Sequence, residues 1–234
     1  RDVVDEMAWL AETYEFRSFY FDDDTFNIGK SRMLAFCKEL KERRLNLPWS
    51  IMARADTMDR EILESMAAAR LFSIKYGVES ADQSILDGSG KNLDLSRVHD
   101  TVQITRDLGI QYHLTFTFGL PGETQETAMK TIELALKLNP NTVQFSICTP
   151  MPGSKYYDFL EEKGYLSQKG WDAYTGFNSA VVRTDALSER DLEAILEHAN
   201  RAWNKHVWQR KSFAEKTQVM IRKWGNTILG RCFS

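Results

Sequence analysis

A short apolar strand, a loop bearing charged or small residues, then a helix: this unit recurs five times between residues 18 and 154. No other feature of the 234-residue chain constrains its fold as much. The predicted strands cover residues 18–21, 49–52, 72–77, 112–118 and 142–148, each rich in the aromatic or β-branched types that suit strands buried under helices. Helical spacing fills the gaps, through Met33, Cys37 and Leu40, then Ile62, Leu63 and Met66, then Val98, Val102 and Thr105, then Ala128, Ile132 and Ala135. Gly109 and Gly164 stand where helices should stop, and Thr57, Thr124 and Ser188 where they should start.

Strands alternating with helices imply parallel pairing, in a doubly wound sheet or a barrel. No G-x-G-x-x-G follows the first strand, so a dinucleotide-binding open sheet is not supported. Five strands are too few to close a barrel. The expected fold class is α/β: a partial (β/α)6 TIM-like barrel missing its first strand, with a C-terminal helical extension. The division expected is a barrel unit over residues 1–150 and a substrate-side loop with helices over 151–234. Val3, Val4, Met7, Ala8 and Ala11 recur at helical spacing from almost the first residue, and Arg1 is not an initiator methionine. A chain starting inside a helix is expected to be cut from a longer one.

Composition enters as exclusion. With 43% hydrophobic and 27% charged residues and a formal charge of −3, the chain is globular and carries no dominant electrostatic footprint for nucleic acid. No apolar run approaches the ~20 residues of a membrane span, and no secretory signal opens the chain, so a cytoplasmic location is expected. Cys37, Cys148 and Cys232 are too sparse for a disulfide framework or a metal spacing. The first two read as buried thiols and the third as part of a tail. Tyr14, Phe16, Phe19, Tyr20 and Phe21 read as core.

Chemistry in a barrel collects in the loops after the strands. Here those loops are Phe21-Asp-Asp-Asp-Thr-Phe26, Ala53-Arg-Ala-Asp-Thr57, Gly77-Val-Glu-Ser80, Phe118-Gly-Leu-Pro-Gly-Glu-Thr124 and Thr149-Pro-Met-Pro-Gly-Ser154. Taken singly they are ambiguous. An aspartate run after a strand serves equally as a helix N-cap, and Gly-Leu-Pro-Gly as a type II turn. Residues 171–177 form an aromatic loop, and Ser188-Glu-Arg-Asp191 opens a helix with a capping box.

In their order and spacing these five loops resemble the radical S-adenosylmethionine (SAM) superfamily, most closely the branch whose members often carry a cobalamin-binding domain. The likeness covers residues 1–178. It implies an Fe4S4 cluster, SAM and, in a longer parent, cobalamin. It also implies a low-potential electron donor such as ferredoxin or flavodoxin, and a small-molecule substrate undergoing methyl transfer or cyclisation. Residue by residue, the resemblance puts Asp22 and Asp23 on the SAM amino group, and Glu79 and Ser80 on ribose and methionine. It sets Gly119, Leu120, Pro121 and Gly122 against adenine, with Ser146 and Thr149 at the adenine edge. Arg54 would meet the SAM carboxylate or else form a salt bridge to Asp22 or Asp56. Trp171, Tyr174 and Phe177 are substrate-pocket walls or core. The reading fails if Asp22, Glu79 and Leu120 lie on different sides of the molecule with no cavity shared among them. The family's Cys-x3-Cys-x2-Cys cluster loop occurs nowhere in the chain, so its cysteines are expected upstream and the piece alone is expected to be inactive. The alternatives are a barrel lyase or aldolase using Asp22, Glu79 or Arg54, with Lys75 as a lysine to examine, and a non-catalytic scaffold around a SAM-shaped pocket.

Overall fold

The computed structural model describes residues 2–167 and 170–212. Helix α1 (Asp2–Tyr14) precedes five strands, β1 (Phe19–Phe21), β2 (Trp49–Ala53), β3 (Leu71–Glu79), β4 (Gln111–Phe118) and β5 (Thr142–Ile147). Between them run α2 (Lys30–Glu42), α3 (Arg60–Ala68), α4 (Gln83–Gly88), α5 (Leu95–Asp107) and α6 (Gln125–Leu138). After β5 come α7 (Lys155–Glu162) and α8 (Glu189–Arg210). The strands pair in chain order, all parallel, as a partial (β/α) barrel. Every carboxyl end therefore lies on one edge of the sheet.

Alternation along the strands builds two different faces. Ile51, Ile74, Tyr76, Val78, Leu114, Phe116 and Phe145 are buried in one apolar core with Met33, Cys37, Leu63, Met66 and Ala128 of the helices. Two polar tips in that core are satisfied: Trp49 Nε1 donates to the Ala69 carbonyl at 2.7 Å, and the Tyr76 and Thr105 hydroxyls meet at 3.0 Å. The same core runs on through Leu160, Val181, Val182, Leu192 and Ile195, so the segment after β5 packs continuously with the barrel strands.

Local signals account for most element ends. Thr124 and Ser188 cap α6 and α8 with reciprocal capping boxes, and Gly109 and Gly164 take positive φ just after α5 and α7. Thr57 does not start a helix: it closes a 3-10 turn (Ala55–Thr57), and Asp59 caps α3 by accepting from Ile62 N at 2.9 Å. Strand β3 runs to Glu79, two residues beyond the predicted end, which turns a predicted loop residue into a strand terminus.

The aromatic run near β1 is a second correction. Tyr14, Phe16 and Tyr20 are 57, 47 and 55% exposed, because β1 is a three-residue edge strand and shields little. Phe19 and Phe21 are partly buried against the core, with Phe21 centred 4.6 Å from Phe26. Cys37 is buried as expected, whereas Cys148 is only half-buried. The predicted terminal helix and Cys232 lie outside the described residues. Among the described residues, no helix is long and apolar enough to cross a membrane.

Candidate functional site

The strand face turned away from the helices opens into a polar cavity of about 330 Å³ at the carboxyl edge, where residues 52, 75, 77, 115, 117, 144 and 146 line it at alternate positions. Loop residues Asp24, Thr25, Arg54 and Lys91 complete the wall. Glu79 stands at its centre. Lys91 Nζ contacts Glu79 Oε1 at 2.6 Å, and Thr117 Oγ1 donates to Oε2 at 2.8 Å, so both carboxylate oxygens are held. The geometry has two local causes. A register shift between Gly77 and Glu79 turns the strand end, and Glu79 takes φ of 69°, a left-handed conformation that costs a non-glycine residue about 1 kcal/mol or more. A Cβ at Gly77 would lie 2.6 Å from Glu79 Oε1 and 2.7 Å from Lys91 Nζ, so only glycine leaves room for this ion pair.

Arg54 also lines the cavity, but its guanidinium is committed. It donates to both oxygens of Asp56 at 3.1 and 2.7 Å, and to the carbonyls of Lys91 and Asn92 at 2.9 and 3.0 Å. Of the two roles weighed for it, the structure shows the salt bridge to Asp56. This bridge fastens the loop carrying Lys91 across the mouth. Asn27, buried below, accepts from Arg54 N at 3.0 Å and donates to its carbonyl at 2.9 Å.

A second cavity, of about 560 Å³, is lined by Gly88, Ser89, Gly90, Leu120, Pro121, Cys148, Lys155, Tyr156 and Phe159. It is mostly apolar, and it abuts the first through the turn running from Gly90 to Lys91. Gly119 and Gly122 take φ of 83° and 80°, which shapes the loop carrying Leu120. A Cβ at Gly119 would press on Leu192 of α8 at 3.3 Å. Tyr156 Oη donates to the Gly119 carbonyl at 2.9 Å. Beneath this loop lies Glu123, fully buried, accepting from Gly119 N, with Oε1 lacking any hydrogen-bond partner. Burial outweighs these backbone contacts and pushes its carboxyl up to about 7. Burial, then the charges of Glu79 and Glu123, push the Cys148 thiol up to about 12, so it stays a thiol at neutral pH.

The predicted residues thus divide. Glu79, Arg54 and Ser146 line the polar cavity; Leu120 and Pro121 line the apolar one; Gly119 and Gly122 shape its loop. Asp22 and Asp23 are exposed and line neither, while the next residue, Asp24, lines the polar cavity. Asp22, Glu79 and Leu120 share one edge of the sheet but not one cavity. Ser80 is fully buried, its Oγ accepting from Asp82 N at 3.2 Å and lying 3.5 Å from Thr131 Oγ1. Thr149 donates to the Ile147 carbonyl at 3.2 Å. Trp171 and Phe177 are 67 and 52% exposed, and the Tyr174 ring lies tilted against Trp171, with centroids 4.8 Å apart. Their loop is tied to the end of β5, where Ile147 N donates to the Gly176 carbonyl at 2.7 Å. Lys91, Thr117, Tyr156 and Glu123 escaped the sequence reading. Glu123 alone had a local signal, its place four residues after Gly119.

Compared with known protein families, residues 1–135 match the radical SAM superfamily. The chain belongs to that superfamily. It is 29% identical over 197 residues to an uncharacterized methyltransferase of Pyrococcus horikoshii, covering 84% of this chain and 43% of that protein. It is 28% identical over 194 residues to an anaerobic magnesium-protoporphyrin IX monomethyl ester cyclase of Rubrivivax gelatinosus, covering 82% and 34%. The chain therefore spans less than half the length of these relatives. In fold it resembles the radical SAM methyltransferase TsrM of Kitasatospora setae, solved with cobalamin and a [4Fe-4S] cluster bound. That likeness has a TM-score of 0.63 at 23% identity over 69% of this chain and 31% of the other.

The residues present do not fit the family's cluster. Among the described residues no group of three His, Cys, Asp or Glu side chains could hold a metal, and Cys37 is buried in the core far in sequence from half-buried Cys148. SAM is a different matter. A polar cavity with a fixed carboxylate beside an apolar one matches a zwitterion and ribose joined to a purine.

Proposed function

We propose that the mouth of this partial barrel binds SAM, its methionyl and ribosyl parts in the polar cavity and its adenine in the apolar one. The observation that carries this reading is the abutment of the two cavities along one sheet edge, with Glu79 immobilised in the polar one by Lys91 and Thr117. Asp24, which lines the polar cavity and whose carboxylate has no hydrogen bond or ion pair among the described residues, offers that carboxylate to the ammonium, a duty that Asp22 and Asp23 share only if they turn inward. Glu79 keeps a second lone pair on each oxygen for ribose hydroxyls. Leu120, Pro121, Tyr156 and Phe159 exclude water from the adenine faces, with Ser146 in the wall of the adjoining polar cavity and Thr149 just past the end of β5. Arg54 acts from behind by clamping the Lys91 loop, and Ser80 by anchoring that strand end to α6. Trp171, Tyr174 and Phe177 would reach substrate from the loop tied to the end of β5.

When bound, SAM would supply a transferable methyl group or, once an electron from a donor such as ferredoxin or flavodoxin reached it and a carbon–sulfur bond broke to release methionine, hydrogen-abstracting chemistry. In the longer protein the reading makes this domain the core of a radical SAM enzyme. It acts there on a small molecule by methyl transfer or cyclisation, as the methyltransferase and cyclase among its relatives support. The test is calorimetric titration of the chain with SAM. One molecule should bind, and Glu79→Ala and Leu120→Asp should each weaken it at least tenfold. A wild-type chain that binds no SAM, or two variants that bind it unchanged, would overturn the assignment.

A further inference from the structure

Below the rim, one layer of the polar cavity has no role in the reading above. Strand register places Met52, Lys75, His113 and Thr142 side by side across β2, β3, β4 and β5. Lys75 lines the cavity wall. The other two cations there are committed, Arg54 to Asp56 and Lys91 to Glu79. Among the described residues, the Lys75 ammonium has neither a carboxylate nor a hydrogen-bond acceptor.

Its neighbours do not relieve it. His113 Nδ1 lies 2.8 Å from Thr142 Oγ1. Burial, and after it the charge of Lys75, lower the pKa of that ring, so it is neutral at pH 7. Thr115 and Gln144, one layer nearer the rim, bring polarity without charge. A half-buried ammonium without a counter-ion destabilises a fold unless a ligand provides one. The strand also separates Lys75 from the rim: four residues to Glu79 at ~3.3 Å each come to roughly 13 Å. Gly77 lies between them, and the Glu79–Lys91 ion pair folds over it, a Cβ there lying 2.6 Å from Glu79 Oε1 and 2.7 Å from Lys91 Nζ, so the floor around Lys75 lies beneath that pair.

We propose that Lys75 is the seat of an anionic group, carboxylate or phosphoryl, of the substrate, which lies beneath the rim. This rests on the assignment of SAM to the rim, because occupancy there leaves the floor to a second molecule. The ammonium holds the anion as a point charge and needs no fixed orientation, so either anion shape is accepted.

The experiment titrates the full chain with inorganic phosphate and with propionate, each with and without SAM, followed by protein-observed NMR. Wild type and the Lys75→Met and Lys75→Arg variants are compared. One anion site is expected, weakened at least tenfold in Lys75→Met, retained within threefold in Lys75→Arg, and still open when SAM is bound. Lys75→Met should also melt at a higher temperature than wild type, which separates lost binding from lost folding. Equal anion affinity in wild type and Lys75→Met overturns the proposal. So does a tenfold loss of SAM affinity in Lys75→Met with no loss for decarboxylated SAM, since that gives Lys75 to the cofactor's own carboxylate. Anion binding that depends on Lys75 in a chain indifferent to SAM supports the anion seat and sinks the cofactor reading instead.

Discussion

The same strands present two faces that obey opposite rules. Toward the helices, Ile74, Tyr76, Leu114 and Phe116 are fully buried and every polar tip named there is bonded. Toward the cavity, Lys75, Gly77, Thr115 and Thr117 alternate with them, and charge is held apart by a small number of specific contacts. The first face makes the sheet stable; the second spends part of that stability on a left-handed glutamate and an uncompensated lysine. Adjacent residues should therefore answer very differently to substitution.

The largest contrast is Phe116 against Thr115. Phe116→Ala should cost about 3–5 kcal/mol in chemical denaturation, because it opens a void in a packed core. Thr115→Ala should cost less than about 1 kcal/mol. Comparable losses would mean that the cavity face is core as well.

Glu123 tests the boundary between the faces through pH. Its carboxyl rises from 4.5 to about 7 on folding. Between those values the unfolded chain has lost the proton and the folded one keeps it, so stability should fall as pH climbs through that window, by on the order of 3 kcal/mol. Below it both states are protonated, and above it both are ionised. Thermal melts of wild type from pH 4 to 8 should show the decline, and Glu123→Gln should flatten it.

Gly77→Val should act on the cavity face alone. The added side chain displaces Glu79 and Lys91, so SAM affinity should drop at least tenfold for a stability loss of about 1–3 kcal/mol. Retained affinity would show that the ion pair is incidental to binding. The smallest effect compares two left-handed residues, Arg70 at φ 74° and Glu79 at φ 69°. Arg70→Gly should raise stability by up to about 1 kcal/mol and leave SAM titrations untouched. Glu79→Gly relieves the same backbone conformation, and the titration should nonetheless weaken.

Legibility in the sequence followed the distance over which each interaction acts. Strand alternation, helix spacing and the capping boxes at Thr124 and Ser188 act within a few residues, and all were readable. The α3 cap was misplaced by two residues because Thr57 and Asp59 both suit a helix start, and the choice depends on Asn27, which holds Thr57 Oγ1 at 2.6 Å. Of three consecutive aspartates, the sequence offers no reason to prefer Asp24; the turn after β1 selects it.

By itself, then, the sequence determined a parallel α/β partial barrel and the order of its mouth loops, because periodicity and turn chemistry are local. Only the tertiary structure decided that Glu79 is held by Lys91 and Thr117, twelve and thirty-eight residues away, that Ser80 faces α6, and that Lys75 has no counter-ion among the described residues. Charge satisfaction is a property of three-dimensional neighbours. No single stretch of chain contains both halves of those pairs.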